Sequence, residues 1–128
     1  MNEPEFLDAA SIEEYHRESL AKWGGQDGVR DTVLLESAIS QPQQVYCYYD
    51  GADLFDIAAA YCFHIAQNQA FFDGNKRTAV AAGLAFLKIN GVNTNRDIEQ
   101  DLFDAMIAIA NDNMNREGLA ILLRELFS

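Results

Sequence analysis

The sequence predicts an all-α protein: a compact single-domain helical bundle around a central hydrophobic helix. Apolar residues recur at helical spacing along most of the chain, and the alternation of apolar and polar residues typical of strands is absent. The uncharged run AVAAGLAFL, residues 79–87, has almost no polar face, which predicts a helix at the centre of the bundle. A chain of 128 residues suffices for one core, so residues 1–128 are expected to form one domain.

The first predicted helix lies near the N-terminus. Ser11 and Glu14 have the spacing of a capping box, and an apolar stripe at helical spacing follows them as far as Trp23. Gly24 and Gly25 are expected to end this helix, because glycine readily adopts the backbone conformation found just beyond a helix C-terminus.

A second, short helix is predicted to begin after Asp31, which can cap it, and to run to about Ile39. Residues 41–51 are predicted to be irregular, because Pro42 and Gly51 interrupt the segment.

The third helix is predicted to run from near Asp53 to near Gln69, with acidic residues in its first turn. An Asp-Gly-Asn turn follows, and a fourth helix is predicted from Asn75 to Asn90, with Gly91 as a left-handed C-cap.

Two more helices complete the prediction. Acidic residues open the fifth, and the stretch from Asp97 to Asp104 is expected to be a solvated face, although it could equally contact a partner protein. Leucines at helical spacing define the sixth: Leu119, Leu122, Leu123 and Leu126.

The composition limits the possible partners and location. The net charge is −11, from 20 acidic and 9 basic residues, which argues against non-specific binding to nucleic acid or to an anionic membrane. No apolar run is long enough to span a bilayer, and the acidic N-terminus does not resemble a secretory signal, so a cytoplasmic location is expected. Cys47 and Cys62 are expected to be buried thiols without a disulfide.

A candidate anion site lies in the stretch NQAFFDGNKRTA, residues 68–79. Lys76 and Arg77 fall in the first turn of the fourth helix, where positive charge costs about 0.3–1 kcal/mol per residue. A phosphate would offset this cost by pairing with both side chains and accepting hydrogen bonds from the backbone N–H groups of Gly74, Asn75 and Lys76.

Neighbouring residues fit the same chemistry. The Asp73 carboxylate is suited to hold Mg²⁺ beside phosphates, and the Asn75 side chain could donate to a phosphate oxygen. An ordinary capped turn is the alternative, with Asp73 or Asn75 as the cap and Arg77 paired to Asp73. The residue pattern leaves both possibilities open.

The same residues resemble the motif of the Fic/Doc family, and of its Doc branch in particular. The match to the Doc-type motif is complete from Asp73 to Ala79, and Phe71 matches the motif aromatic. Lys76 stands where Fic enzymes have a second glycine, and Val80 stands where they have a second arginine. Three further segments are similar to Doc-type sequence, so that the resemblance covers nearly the whole chain: residues 24–39, 58–68 and 85–92.

The resemblance implies a Fic/Doc-like fold and the toxin of a toxin–antitoxin module. Toxins of this type transfer the γ-phosphate of ATP to a threonine of elongation factor Tu and so inhibit translation. The implied partners are ATP, Mg²⁺, this protein substrate and a Phd-like antitoxin that folds a disordered segment into a groove of the toxin. Neither a membrane nor direct nucleic-acid binding is implied.

The resemblance also implies a role for each residue of the loop. Asp73 would hold Mg²⁺, Gly74 would shape the anion cradle, and Phe71 would anchor the loop in the core. The nucleotide phosphates would be bound by Asn75, Lys76 and Arg77, and Asp73 and Arg77 would also belong to the catalytic set.

One position departs from the family pattern. Gln69 occupies the position of the family's catalytic histidine, the base that takes the proton from the attacking hydroxyl. A carboxamide cannot serve as a general base, and loss of such a base typically costs a factor of about 10²–10⁴ in rate. We therefore expect nucleotide binding to survive and transfer to be attenuated or absent. The residue could be natural or introduced.

No other histidine is expected to replace the base. His64 lies five residues earlier on the third helix and points elsewhere, so it is interpreted as a core or border residue bonded to a neighbour such as Asn68. His16 is interpreted as a helix-border residue. Arg30 has two possible roles. It could form an ion pair with an acidic residue while Asp31 caps the second helix, or it could support the surroundings of the active site.

Two other functions remain open from the sequence. One is a non-catalytic module that binds nucleotide or antitoxin, which is compatible with Gln69. The other is transfer of AMP to a protein hydroxyl, as in Fic enzymes, which the residues at positions 76 and 80 disfavour.

Overall fold

The computed structural model describes residues 3–128, which form six helices. These are α1 (Ala9–Trp23), α2 (Thr32–Tyr48), α3 (Leu54–Asn68), α4 (Asn75–Ile89), α5 (Glu99–Ala110) and α6 (Arg116–Phe127). The described residues contain no strand, only an isolated bridge between Val29 and Phe71, so the all-α prediction is confirmed. No described helix combines the length and the apolar character needed to cross a membrane.

The helix at the centre of the bundle is α3, whereas the sequence placed α4 there. Helix α3 packs against α2, α4, α5 and α6, and residues 57–62 are all buried. Helix α4 lies beside it and also contacts α1 and α5, with Ala81 and Leu84 partly exposed. The small side chains of Ala58, Ala59 and Ala60 explain the difference, because they let neighbouring helices approach α3 from several sides.

Helix α1 begins earlier than predicted. Asp8 is its N-cap and accepts a hydrogen bond from the backbone N–H of Ser11 at 2.9 Å, so the predicted capping box starting at Ser11 is wrong. Aspartate caps a helix as well as serine does, and Asp8 stands three residues before Ser11. The C-terminus agrees with the prediction, since Gly24 follows Trp23 and its N–H donates to the Leu20 carbonyl at 2.8 Å.

Helix α2 is longer than predicted and passes through Pro42 to Tyr48, so the prediction of an irregular segment is wrong. The Asp31 cap is confirmed, with a hydrogen bond from the Leu34 N–H at 3.1 Å. Pro42 cannot donate to the carbonyl four residues earlier, a loss that normally breaks a helix. Its ring is buried on the face of α2 that also buries Val45, and this packing offsets the lost bond.

The cysteines are both free thiols, as predicted, but they differ in burial. Cys62 is buried in α3 and donates to the Ala79 carbonyl of α4 at 3.3 Å. Burial raises the pKa of the Cys62 thiol to about 12. Cys47 is exposed near the end of α2, so its predicted burial is wrong, because that segment is a surface helix turn.

The remaining helix ends agree with the sequence. Asp53 caps α3 in a capping box with Asp56, and Gly91 follows α4 with a positive φ of 92°. Helix α5 carries acidic residues in its first turn, and the side chains of Asp97, Glu99, Asp101 and Asp104 are exposed.

Candidate functional site

A cleft of about 450 Å³ opens where the loop between α3 and α4 meets the end of α1 and the side of α5. Six of the seven residues selected from the sequence line it: Gln69, Asp73, Gly74, Asn75, Lys76 and Arg77. The seventh, Phe71, lies beneath the loop and is 1% exposed. Trp23, Phe72 and Phe103 add aromatic surface to the cleft.

Backbone hydrogen bonds hold the loop against the segment that precedes α2. The N–H groups of Arg30 and Asp31 both donate to the Ala70 carbonyl, at 2.7 and 3.1 Å. The N–H of Phe72 donates to the Gly28 carbonyl at 3.2 Å. The loop is therefore tied on both sides of Phe71 to a distant part of the chain.

The Arg30 side chain braces the end of α3. Its Nε and Nη2 atoms donate to the Gln69 carbonyl at 3.0 and 2.6 Å, and Nη2 also lies 3.4 Å from the Asn68 carbonyl. Arg30 makes no ion pair with an acidic residue in the described part of the chain, so the alternative of an ion pair is wrong, and its guanidinium instead supports the backbone at the end of α3. A cation at a helix C-terminus is favourable because the last carbonyls carry partial negative charge.

Gln69 ends α3 in the left-handed conformation, with φ 51° and ψ 50°. This conformation costs a non-glycine residue about 1–2 kcal/mol, and the Arg30 hydrogen bonds help to hold it. The Gln69 side chain is exposed, lines the cleft and makes no hydrogen bond within residues 3–128. Its amide is therefore available to a molecule in the cleft.

The Asn75 side chain fastens the loop internally. Its Nδ2 donates to the Phe71 carbonyl and its Oδ1 accepts from the Phe71 N–H, each at 3.0 Å. Neither Asn75 nor Asp73 caps α4, because the N-cap residue is Gly74 and no side chain caps the helix. The alternative of an ordinary capped turn is therefore wrong. The Asn75 side chain is occupied, which leaves its backbone N–H for an anion.

The start of α4 leaves backbone donors facing no protein acceptor. The first N–H of the helix to donate within the chain is that of Thr78, to the Gly74 carbonyl at 2.9 Å. The N–H groups of Asn75, Lys76 and Arg77 find no acceptor among the described residues. Such free donors give a helix N-terminus its affinity for anions.

The two cations of the loop have different surroundings. Lys76 makes no ion pair or hydrogen bond with any residue in the described range. Arg77 does not pair with Asp73; its guanidinium carbon lies 3.9 Å from the centre of the Trp23 ring and 3.8 Å from that of Phe103. Cation–π stacking places the guanidinium at the wall of the cleft without neutralising its charge.

Asp73 offers one carboxylate oxygen to a ligand. Its Oδ2 accepts a hydrogen bond from the Gln26 N–H at 2.7 Å, while Oδ1 has no partner among residues 3–128. Gly25 is packed against this side chain, since a Cβ there would lie 2.9 Å from the Asp73 Cβ. No group of three or more potential metal ligands occurs in the described part of the chain. A single carboxylate fits Mg²⁺ that keeps its waters and is otherwise held by phosphates.

His16 supports the loop from behind, a role that the sequence did not reveal. It is 2% exposed, stacks on Phe71 with ring centres 3.9 Å apart, and its Nε2 lies 2.7 Å from the Asp73 carbonyl oxygen. The interpretation as a border residue is wrong, because its helical stripe faces the loop. Its spacing with Ile12 indicated only a buried position, and nothing local links it to a loop 57 residues away.

His64 does not contribute to the cleft. Burial and the nearby positive charge of Arg116 lower the pKa of His64 to about 4. Its Nε2 is buried with no hydrogen-bond partner, so the predicted bond to Asn68 is wrong. Asn68 instead donates to the Leu34 carbonyl at 3.0 Å, because the α2–α3 contact provides an acceptor there.

Comparison with known proteins identifies relatives of this chain. The model of the Fic/DOC family matches residues 6–87, which include the whole loop. A protein of Mycolicibacterium smegmatis named Toxin Doc is 40% identical over 100 residues, covering 77% of each chain. A protein of Escherichia phage P1 named Protein kinase doc is 32% identical over 112 residues, covering 88% of this chain and 87% of the relative. The chain therefore belongs to the Fic/DOC family and to its Doc branch.

Proposed function

We propose that the chain is a Doc-type toxin of a toxin–antitoxin module, built as an ATP-dependent protein phosphotransferase and attenuated by Gln69. The names of the two relatives, a toxin and a protein kinase, support this class. The observation that carries the proposal is the start of α4, where free backbone N–H groups lie beside Lys76 and Arg77 and no acidic side chain among residues 3–128 neutralises these cations. A polyphosphate is the ligand that satisfies all of these groups together.

Different groups in the cleft would bind the phosphates and the Mg²⁺ of the nucleotide. The N–H groups at the start of α4 and the Lys76 ammonium would bind phosphate oxygens, and the Arg77 guanidinium would add positive charge from its place beside Trp23. Asp73 would hold Mg²⁺, which supplies charge neutralisation on the phosphates. This positioning accounts for most of the catalytic power expected of a phosphotransferase.

Proton transfer is the step that this cleft lacks. The attacking hydroxyl of a threonine must lose its proton, and the side chain at the expected place is the carboxamide of Gln69. It can accept a hydrogen bond and so help to position the hydroxyl, but it cannot retain the proton. The family substrate, elongation factor Tu, would then bind without efficient phosphorylation.

Restoring the base tests the proposal. Gln69→His should raise the rate of phosphate transfer to elongation factor Tu by a factor of about 10²–10⁴ and arrest growth of a bacterial host that lacks the antitoxin. The matched control is Gln67→His, because Gln67 is also exposed on α3 but does not line this cleft. A harmless Gln69→His protein that transfers no phosphate would contradict the proposed activity.

Two other outcomes would favour the alternative functions. If Gln69→His gains no activity while the chain binds nucleotide or antitoxin tightly, the chain is a non-catalytic binding module. Binding without catalysis is compatible with a loop whose conformation is held by the Asn75 side chain. If the modified target carries an added AMP, the reaction is that of Fic enzymes. Mass spectrometry of the intact target separates the two modifications by their masses.

We propose that a Phd-like antitoxin is the partner of this chain. We also propose that both proteins act in the cytoplasm, where ATP and elongation factor Tu are found. We expect a small protein encoded beside this chain to copurify with it and to suppress growth arrest by Gln69→His. Growth arrest that no neighbouring gene product relieves would contradict the toxin–antitoxin assignment.

A further inference from the structure

His16 lies behind the α3–α4 loop, on the side away from the cleft. It lines a separate small cavity with Asp27 and Phe71, whereas Gly74 lines the cleft. We propose that His16 is a positioning residue that fixes the peptide between Asp73 and Gly74 and so aims the Gly74 N–H into the cleft. This proposal rests on the proposed function for the identity of the anion, but not for the geometry.

The burial of His16 requires an explanation. His16 and Thr78 are the buried polar side chains among the described residues. A buried polar group is costly unless it is hydrogen-bonded, and the imidazole satisfies this need with a loop carbonyl rather than within its own helix. The contact therefore ties α1 to the loop at the residue before the α4 N-cap.

The direction of this hydrogen bond follows from its partner. A carbonyl oxygen can only accept, so the proton lies on His16 Nε2 and the imidazole donates to Asp73. The ring is held in place by Phe71, on which it stacks with an angle of 10° between the planes. Phe71 is in turn fastened through its backbone by Asn75.

The hydrogen bond from His16 to the Asp73 carbonyl also sets the direction of the Gly74 N–H, because both groups belong to one planar peptide. In a trans peptide the C=O and the following N–H point in opposite directions. Because the Asp73 carbonyl points at His16, the Gly74 N–H points away from His16, toward the side on which Gly74 borders the cleft. Without the imidazole N–H this peptide could rotate, because Gly74, with φ 77°, tolerates many backbone conformations.

The imidazole ring of His16 packs directly against the backbone of the loop. A Cβ built on Gly74 would lie 3.6 Å from His16 Cδ2 and 3.7 Å from Nε2, so the ring is in contact with the loop backbone. The other ring nitrogen, Nδ1, lies 3.9 Å from Asp27 Oδ1, whose side chain is largely exposed. The two ring nitrogens thus face different partners, and only Nε2 reaches the loop.

Two substitutions separate the hydrogen bond from the packing. His16→Phe keeps an aromatic ring on Phe71 and removes the donor, while His16→Gln keeps an N–H donor without the ring. The control Asp27→Asn removes the charge near Nδ1 and leaves the bond to Asp73 intact. Thermal unfolding of each protein shows whether the domain remains folded.

The first measurement needs no nucleotide. Imidazole ¹⁵N NMR should show that Nε2 of His16 carries the proton. The carbonyl ¹³C shift of Asp73, which responds mainly to the hydrogen bond and little to ring current, should change in His16→Phe but stay near the original value in His16→Gln and Asp27→Asn. A proton on Nδ1 alone, or an unchanged Asp73 carbonyl shift in His16→Phe, would overturn the inference. If His16→Phe does not fold, His16→Gln decides, because an altered Asp73 carbonyl shift in that variant would overturn the inference equally.

The second measurement is a titration with ATP and Mg²⁺. His16→Phe should bind about 3- to 10-fold more weakly, while His16→Gln and Asp27→Asn should stay within about 2-fold. The Gly74 amide proton should shift downfield on binding in the unchanged chain and less in His16→Phe. Failure of every protein to bind would contradict the proposed function, and the first measurement would still decide the role of His16. Binding in all of them with equal affinity would overturn that role alone.

Discussion

Lys76 and Arg77 stand where the dipole of α4 disfavours positive charge, and no acidic side chain in the described chain pairs with either. Aromatic rings hold Arg77, and Lys76 is free. A local arrangement that costs stability is expected at a functional site, because the ligand supplies the compensating interaction. Lys76 should therefore favour ligand binding and disfavour folding, whereas stacking on Trp23 and Phe103 offsets the folding cost of Arg77.

Removing either charge tests its contribution to anion binding. Lys76→Ala and Arg77→Ala should each weaken binding of ATP with Mg²⁺ by about 5- to 30-fold, since a charge-assisted hydrogen bond contributes about 1–2 kcal/mol. Isothermal titration calorimetry measures the affinity. Lys88→Ala is the control, because Lys88 is exposed in the last turn of the same helix. Equal affinities in all three variants would contradict an anion site at the start of α4.

The Lys76→Ala substitution should weaken ATP binding but stabilise the fold. Lys76→Ala should raise the free energy of unfolding by about 0.3–1 kcal/mol in the absence of nucleotide, because it removes a cation from a helix N-terminus. Chemical denaturation measures this change. A loss of stability would show that Lys76 is a structural residue.

Sequence patterns predicted the lining of the cleft better than the support beneath it. Lys76 and Arg77 could be selected because their charges conflict with the helix dipole, and the other lining residues followed from their chemistry or from the resemblance to the Doc-type motif. His16 and Arg30 act on the loop across 57 and 39 residues of chain. Such contacts depend on how the helices pack, and no local pattern records them.

At the scale of the elements, caps and glycines predicted most helix ends, and tertiary packing decided the exceptions. Asp31, Asp53 and Gly91 act as expected because their effects are local. Helix α2 continues through Pro42 because burial against α3 outweighs one lost hydrogen bond. The position of α3 at the centre likewise depends on four neighbours that the sequence does not identify.

The contact between α3 and α4 depends on a glycine within the hydrophobic run. A Cβ built on Gly83 would overlap the Cys62 Sγ, and both residues belong to the packed interior. Gly83→Ala should therefore lower the free energy of unfolding by about 1–3 kcal/mol, despite the higher helix propensity of alanine. Thermal denaturation measures this, with Ile89→Ala as a control at an exposed position of α4. Increased stability would show that the two helices can separate without cost.

At the scale of the whole molecule, His64 should couple folding to pH. Burial and Arg116 lower its pKa to about 4 in the folded chain, against about 6.5 when unfolded. Between these values the unfolded chain binds more protons, so the stability contributed by neutral His64 is complete above about pH 6.5 and is lost as the pH falls toward 4. The partial exposure of the side chain reduces the size of this effect.

Comparison with His64→Leu separates the pH dependence of stability caused by His64 from that caused by the carboxylates. Between pH 6.5 and 5 the original chain should lose about 1 kcal/mol more unfolding free energy than His64→Leu, which has no titrating group at this position. Urea denaturation at several pH values measures the difference. Parallel pH profiles for the two proteins would contradict a lowered pKa at His64.

We propose that the chain retains a nucleotide cleft and lacks the base to use it. The most direct test is calorimetric titration of the unchanged chain and of Gln69→His with ATP and Mg²⁺, together with phosphate transfer to elongation factor Tu by the same two preparations. We expect affinities within about 3-fold of each other and transfer at least about 10²-fold faster in Gln69→His. Absence of nucleotide binding in both proteins, or equal transfer rates, would contradict it.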